Sequence, residues 1–178
     1  AVSSALDLLA RRPDLGAVAL HPRHPGTRAS EWPFGVRACA DWPVMGCGNL
    51  VRRHAWERVG GYEEGFFLYR NDTDLAMKLR AAGFGVHYNP DWVVWHDSPV
   101  AAGGAKKSSR WFELGTRNWV WVCRRHGRGL SGLAAGFMGW VWAHRLAGAD
   151  IGRHFRALCG MVRGWAESPP QLPRGLHA

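Results

Sequence analysis

Gly46-Cys-Gly-Asn-Leu-Val-Arg-Arg-His-Ala-Trp-Glu-Arg-Val-Gly-Gly-Tyr-Glu-Glu-Gly-Phe-Phe-Leu-Tyr-Arg-Asn-Asp-Thr-Asp-Leu-Ala-Met-Lys-Leu-Arg-Ala-Ala-Gly-Phe-Gly-Val-His-Tyr-Asn-Pro-Asp-Trp-Val-Val-Trp-His-Asp97 is the most densely punctuated stretch of the chain. Its opening glycines let the backbone approach a neighbour closely and lead into Leu50-Val51, a strand. Arg52 to Val59 reads as a short helix stopped by Gly60-Gly61. Glu63 and Glu64 read as a solvated turn, and the aromatic run Phe66-Phe67-Leu68-Tyr69 is expected to pack the next helix onto a sheet. Asp72 and Asp74 open that helix, where carboxylates complement its positive end, and Gly83 closes it. Leu75, Leu79 and Ala82 share one helical face, with Lys78 and Arg80 off it. Phe84 to Tyr88 and Trp92 to Trp95 are predicted as two short strands separated by a turn at Asn89-Pro90-Asp91, and His96 falls just past the second. The pattern is α/β, a frame that holds carboxylates and an imidazole at one edge of a sheet.

Working outward, residues 3 to 12 are predicted to form a helix capped by Ser3 or Ser4. Leu6, Leu8 and Leu9 supply its apolar side and Arg11-Arg12 suit its negative end. Pro13 and Gly16 end it, and Ala17 to Leu20 reads as a buried strand. Residues 21 to 45, with Pro22, Pro25, Pro33 and Pro43, read as a loop or weak edge hairpin in which Trp32 and Trp42 either stack on a sugar or lipid or pack beneath the loop. Residues 98 to 105 are small and glycine-rich, as in a loop that closes over a site. A helix is expected to run through His126, carrying Lys106, Lys107, Arg110 and Arg117 beside apolar Trp111, Phe112, Trp119, Val120 and Val122.

Leu130 to Leu146 is almost uncharged, about 17 residues long and at the lower edge of bilayer-spanning length. Residues 151 to 166 set Ile151, Phe155, Leu158, Val162 and Trp165 against Arg153, Arg156 and Arg163. These two stretches read either as a helical pair lying on the cytoplasmic membrane surface or as a helical hairpin packed on the rest of the protein or on a second subunit. The end, from Ser168, reads as a frayed tail.

At 178 residues and 47% hydrophobic, the chain has enough material for one domain with a core, and disorder is excluded. Eleven tryptophans suit half-wet surfaces, sugar platforms and membrane interfaces. Residues 1 to 100 balance 11 Lys/Arg against 11 Asp/Glu, whereas residues 101 to 178 carry 12 Lys/Arg against Glu113, Asp150 and Glu167 and hold the whole +9 charge. That asymmetry suits an anionic partner; no recognition motif accompanies the charge, so nucleic acid is not expected. Cys39, Cys47, Cys123 and Cys159 form no C-x-x-C pair, which points to a reducing compartment and to neither zinc nor a disulfide framework. The chain opens in mid-element at Ala1-Val-Ser-Ser, without an initiator Met or signal peptide, and reads as a fragment.

One family shows this order of motifs. Gly46 to Asn49, Arg52-Arg53, Val59-Gly60-Gly61-Tyr62, Phe66-Phe67-Leu68-Tyr69, Asn71-Asp72-x-Asp74-Leu75, Arg80, Gly83, Tyr88-x-Pro90 and Val94-x-His96 resemble the second half of the catalytic domain of family 2 glycosyltransferases, nearest the bacterial rhamnosyltransferase-like branch. The resemblance implies the C-terminal portion of a GT-A, Rossmann-like domain at residues 1–126, followed by a basic, Trp-rich helical extension at 127–178. It implies an inverting transfer of a sugar from a nucleoside-diphosphate donor to a polysaccharide or lipid-linked acceptor in cell-envelope glycan synthesis, on the cytoplasmic side of the membrane. Asp72 would be the general base. Gly46, Cys47, Gly48 and Asn49 would line the donor and acceptor loop, with Asn71 and Asp74 beside the base and Arg117, paired with Asn118, near the diphosphate. His96 would ligate a divalent metal (Mn²⁺ or Mg²⁺), with Asp97 a second candidate. The other metal ligands, an Asp-x-Asp motif, are expected ahead of Ala1 in the missing nucleotide-binding half, so the fragment alone is expected to be inactive.

One position departs from the family: Asn71 stands where Glu is usual, and an amide positions a hydroxyl without adding charge. His21, His24, His54, His87, His126, His144, His154 and His177 show no ligand spacing. The alternative is a non-catalytic module that binds membrane or glycan through its basic C-terminal third, alone or as a homo-oligomer.

Overall fold

The computed structural model describes residues 1–30, 39–40, 46–98, 107–127, 137–141, 143, 145 and 147–176, with Cys39 and Ala40 as backbone only. The expectations for Trp32 and Trp42, for residues 99–105, for Lys106 and for most of 130–146 lie outside these residues. The chain forms two compact units: Ala1–Tyr62 with Leu75–Lys106, and Glu63–Asp74 with Lys107–Ala178.

The first unit is mixed α/β. Its elements are α1 (Val2–Arg11), β1 (Leu15–Arg23), β2 (Cys39–Ala40), β3 (Asn49–Val51), α2 (Arg53–Val59), most of α3 (Asn71–Ala81) and β4 (Gly85–Trp95). The sheet order is β2-β4-β1-β3, with β4 parallel to β1 and β3 antiparallel to it. Flanked on both edges, β1 is buried along nearly its whole length, which explains its unbroken Leu15-Gly-Ala-Val-Ala-Leu20 run. Ala5 and Leu9 of α1 close over Leu15, Val18 and Leu20, with Leu50, Trp92 and Val94 packed alongside.

Three local expectations are corrected here. No serine caps α1: its N-cap is Ala1, with no side-chain bond. Its C-terminal end is fastened instead by Arg52, whose guanidinium donates to the carbonyls of Leu9, Arg12 (3.0 Å) and Leu15 (2.8 Å) and so satisfies groups a helix end leaves free. Asn89-Pro90-Asp91 does not divide two strands. The pairing of β4 with β1 jumps from Tyr88 opposite Ala19 to Val93 opposite His21, so the tripeptide is a bulge inside one strand. Pro90 has no N–H to give the ladder, and the Asn89 side chain accepts from the Asp91 N–H at 2.9 Å instead. Lys78 is not on a solvated face. It is 1% exposed and its ammonium donates to the Gly61 carbonyl at 2.6 Å, tying α3 to the turn where Gly60 ends α2 in the left-handed conformation.

A pH dependence is built into this unit. Burial, with Arg23 nearby, pushes the His21 imidazole below its ordinary pKa of 6.5, and burial with Arg12 nearby lowers His87 the same way. The unfolded chain takes up protons near that value that the folded chain refuses. The stabilisation is therefore complete above the unfolded pKa and is lost as pH falls through and below it. The urea midpoint is expected to drop between neutral pH and about 5, and His21→Gln to flatten that drop. A midpoint that holds or rises on acidification would contradict the assignment.

The second unit is helical. A 3-10 turn (Glu64–Phe66) and the first turn of α3 lie with α4 (Ser109–His126), the helical residues 137–141, 143, 145 and 147, and α5 (Ile151–Ala166). Ser108 caps α4 by accepting from Trp111 N at 3.1 Å, and Asp150 caps α5 by accepting from Arg153 N at 3.1 Å. The α4 and α5 helices run side by side in the same direction at very short range. A Cβ at Gly160 would lie 2.2 Å from the Glu113 carbonyl oxygen, and one at Gly164 would lie 2.7 Å from Val120 Cβ. Ala157, Gly160 and Gly164 therefore face α4, because only small residues permit this backbone approach. Burial works against the charge of Glu113, yet Arg163 and Arg156, each 2.9 Å away, hold its carboxyl below the ordinary pKa. No helix among the described residues is long and apolar enough to cross a membrane.

Candidate active site

The segment leading into Asp72 is strained. Phe67 has φ 57° and ψ −65°, and Leu68 N donates to the Phe66 carbonyl at 2.6 Å, which is the rare positive-φ γ-turn. Tyr69 (φ 69°) and Arg70 (φ 65°) follow in the left-handed region, each at a cost of about 1–3 kcal/mol. Asn118 of α4 over-determines this path. Its buried amide nitrogen donates to the carbonyls of Phe66 (2.9 Å), Leu68 (2.7 Å) and Tyr69 (2.8 Å), so two hydrogens serve three acceptors.

Arg117 orients that amide by donating from Nε to Asn118 Oδ1 at 2.9 Å, and its guanidinium lies 4.2 Å over the Trp121 ring. Burial lowers its pKa. The pair expected near a diphosphate thus has a structural occupation of its own. The aromatic run splits: Phe66 is buried edge-on to Trp121 of α4, while Phe67 and Leu68 are exposed.

From this turn the chain enters α3. Asn71 and Asp72 are half-buried in its first turn. The Asp72 carboxylate accepts from Thr73 N at 2.7 Å and sits where the helix's free N–H groups and dipole favour negative charge. Arg70 reaches across the Trp119 ring at 4.9 Å; burial lowers its pKa and the charge of Asp72 opposes that.

Asp74 is fully buried. Its Oδ1 lies 2.7 Å from His126 Nε2 and 3.4 Å from Arg125, which also bonds Glu63 at 3.2 Å. A carboxylate so enclosed ties the first turn of α3 to the end of α4. His126, which the sequence gave no reason to single out, is its partner from 52 residues away, a separation that no local spacing pattern reports.

The first unit holds the remaining candidates. Gly46 is exposed, Cys47 and Asn49 are half-buried and Gly48 is buried. The Gly48 carbonyl accepts from Leu20 N at 2.8 Å, and a Cβ there would fall 2.7 Å from Val94 Cγ1, so glycine is required by the close approach. Asn49 pairs opposite Ala19 at the middle of β1, the antiparallel run sets the turn before it toward the carboxyl end of β1, and half-buried His96 follows β4 directly, its N–H bonded to the Arg23 carbonyl at 2.9 Å. The structure thus brings the Gly46–Asn49 turn and His96 to the carboxyl ends of the two parallel strands, where open α/β sheets bind ligands.

Asp97 is engaged elsewhere. His24 Nδ1 accepts from the N–H groups of Gly26 and Thr27, so its proton sits on Nε2 and is donated to Asp97 Oδ1 at 3.1 Å. Among the described residues no group of three or more His, Cys, Asp or Glu side chains could hold a metal ion. His96 is a single nitrogen donor, and these residues alone do not make a metal site.

No protein-family model matches the chain, and no solved structure does. Two strains of Mycobacterium tuberculosis carry an N-acetylglucosaminyl-diphospho-decaprenol L-rhamnosyltransferase that is 37% identical over 90 residues, 46% of this chain. Rhamnosyltransferase WbbL of Escherichia coli is 39% identical over 56 residues, 32% of this chain. The chain is rhamnosyltransferase-like. It spans 27% and 21% of the length of these relatives, so the rhamnosyltransferase-like part matches about a quarter of a full enzyme.

Proposed function

We propose that this chain is the C-terminal part of an inverting family 2 glycosyltransferase domain of GT-A type. It would move a sugar from a nucleoside-diphosphate donor to a lipid-linked or polysaccharide hydroxyl during cell-envelope glycan synthesis, at the inner face of the membrane. The M. tuberculosis relative is named for an acceptor of N-acetylglucosaminyl-diphospho-decaprenol, which supports a lipid-linked acceptor and a rhamnosyl donor here. The observation that carries the reading is Asp72, a half-buried carboxylate at a helix N-terminus, reached through a strained turn that Asn118 holds in place.

In this reading Asp72 accepts the acceptor hydroxyl proton as the oxygen attacks the anomeric carbon, and the diphosphate leaves from the opposite face with the bonding electrons. Asn71 hydrogen-bonds the acceptor, Asp74 fixes the helix, and Gly46 to Asn49 shape the donor side. Arg117 acts by holding Asn118 and lends its charge toward the departing diphosphate. A divalent metal, Mn²⁺ or Mg²⁺, would offset the diphosphate charge when bound. His96 would contribute one ligand, the others lying outside the described residues.

The test is transfer of rhamnose from its nucleoside diphosphate to a lipid-diphosphate N-acetylglucosamine by the intact protein, with the product anomer read by NMR. Inverted product is expected. Product of retained configuration, or no transfer to any glycan or lipid-linked acceptor, overturns the reading.

A further inference from the structure

The amphipathic pattern of α5 is turned inside out relative to an ordinary surface helix. Its small residues Ala157, Gly160 and Gly164 pack on α4, while its large apolar side chains point outward, from 37% exposure at Trp165 to 83% at Ile151. Ile151, Phe155, Leu158, Val162 and Trp165 recur at alternating steps of four and three, which places them in one stripe along the side of the helix away from α4. Burying that stripe against α4 is precluded by the backbone contact at Gly160 and Gly164.

We propose that this face of α5 lies flat on an anionic lipid surface. Three observations favour lipid over a second copy of the chain. The helix carries Arg153, Arg156 and Arg163 and no acidic residue. The acids nearest it, Asp150, Glu113 and Glu167, are all engaged by those arginines, and residues 101–178, which hold no other acid, keep a net charge of +9. Two copies placed face to face would oppose like charges, whereas anionic headgroups complement them. The stripe also ends on a tryptophan, whose ring and N–H suit the headgroup boundary. At 16 residues α5 is about 24 Å long, too short to span a bilayer and long enough to lie in its interface. The inference does not rest on glycosyl transfer.

The experiment is flotation of the purified protein with phosphatidylcholine vesicles, with and without phosphatidylglycerol, alongside light scattering in lipid-free buffer. The wild type is expected to float with phosphatidylglycerol vesicles, less so as salt rises. Ile151→Glu and Phe155→Glu, both at exposed positions and checked for folding by circular dichroism, should each lower partitioning about tenfold. Partitioning that both variants leave unchanged overturns the proposal, as does failure to float or equal flotation on uncharged vesicles. A lipid-free dimer that Phe155→Glu dissociates would overturn it in favour of a second copy.

Discussion

Asp72→Asn is expected to lower glycosyl transfer by the intact protein by about 10²–10⁴-fold while leaving its melting temperature nearly unchanged. The asymmetry follows from what the carboxylate does locally. Its Oδ1 accepts from Thr73 N at 2.7 Å, and an amide oxygen can accept the same bond, so the first turn of α3 keeps that contact. An amide cannot take a proton from an attacking hydroxyl. The loss should therefore appear in kcat at saturating donor and acceptor. Asp74→Asn should behave in the opposite way: it weakens a buried contact with His126 and Arg125, so stability should fall first. Transfer by Asp72→Asn within a few-fold of wild type would remove Asp72 as the base.

The elements around Asp72 were legible because their signals are local. Gly60 stops α2 by taking a left-handed conformation that glycine adopts without strain, and the sequence predicts that stop directly. The α3 helix begins at Asn71, with both acids in its first turn, as helix-end electrostatics dictates. Where the reading failed, tertiary geometry outweighed local pattern. Lys78 is charged and falls off the apolar face in the sequence pattern, yet the Gly61 carbonyl accepts from its ammonium inside the fold. Asn89-Pro90-Asp91 has turn chemistry, but parallel pairing on both sides absorbs it as a bulge.

The α5 helix is the clearest case of a pattern read correctly with its direction left open. Periodicity separates large apolar residues from arginines, and that separation is real. It does not say which side meets the protein. Gly160 and Gly164 decide that, because they let α4 approach closer than any side chain would allow. The candidate site divides in the same way. Asp72 and His96 came from motif order, whereas the groups that hold Asp72 in place, Asn118 and His126, come from a helix about 50 residues later in the chain. Nothing in local spacing joins an amide to three carbonyls at that distance.

Asn118→Ala is expected to destabilise the protein by about 2–4 kcal/mol, one of the larger effects available at a single side chain. The substitution removes the donors for three carbonyls in a fully buried position and strips Arg117 Nε of its acceptor. It also frees Phe67, Tyr69 and Arg70 to leave their positive-φ conformations, which nothing in their own side chains favours. Asn118→Asp is the sharper variant. It keeps the shape and strengthens the contact with Arg117, but sets lone pairs against the carbonyls of Phe66, Leu68 and Tyr69. It should therefore be the more destabilising of the two, and an aspartate milder than alanine in urea denaturation would show that donation to the turn is not what matters. In the transfer assay on the intact protein both changes should lower kcat more than they raise KM, since the turn they loosen ends one residue before the helix that carries Asp72. Thus strain at Phe67 to Arg70 and its restraint by Asn118 form one device: the turn can be tight enough to aim a carboxylate only because another helix holds it closed.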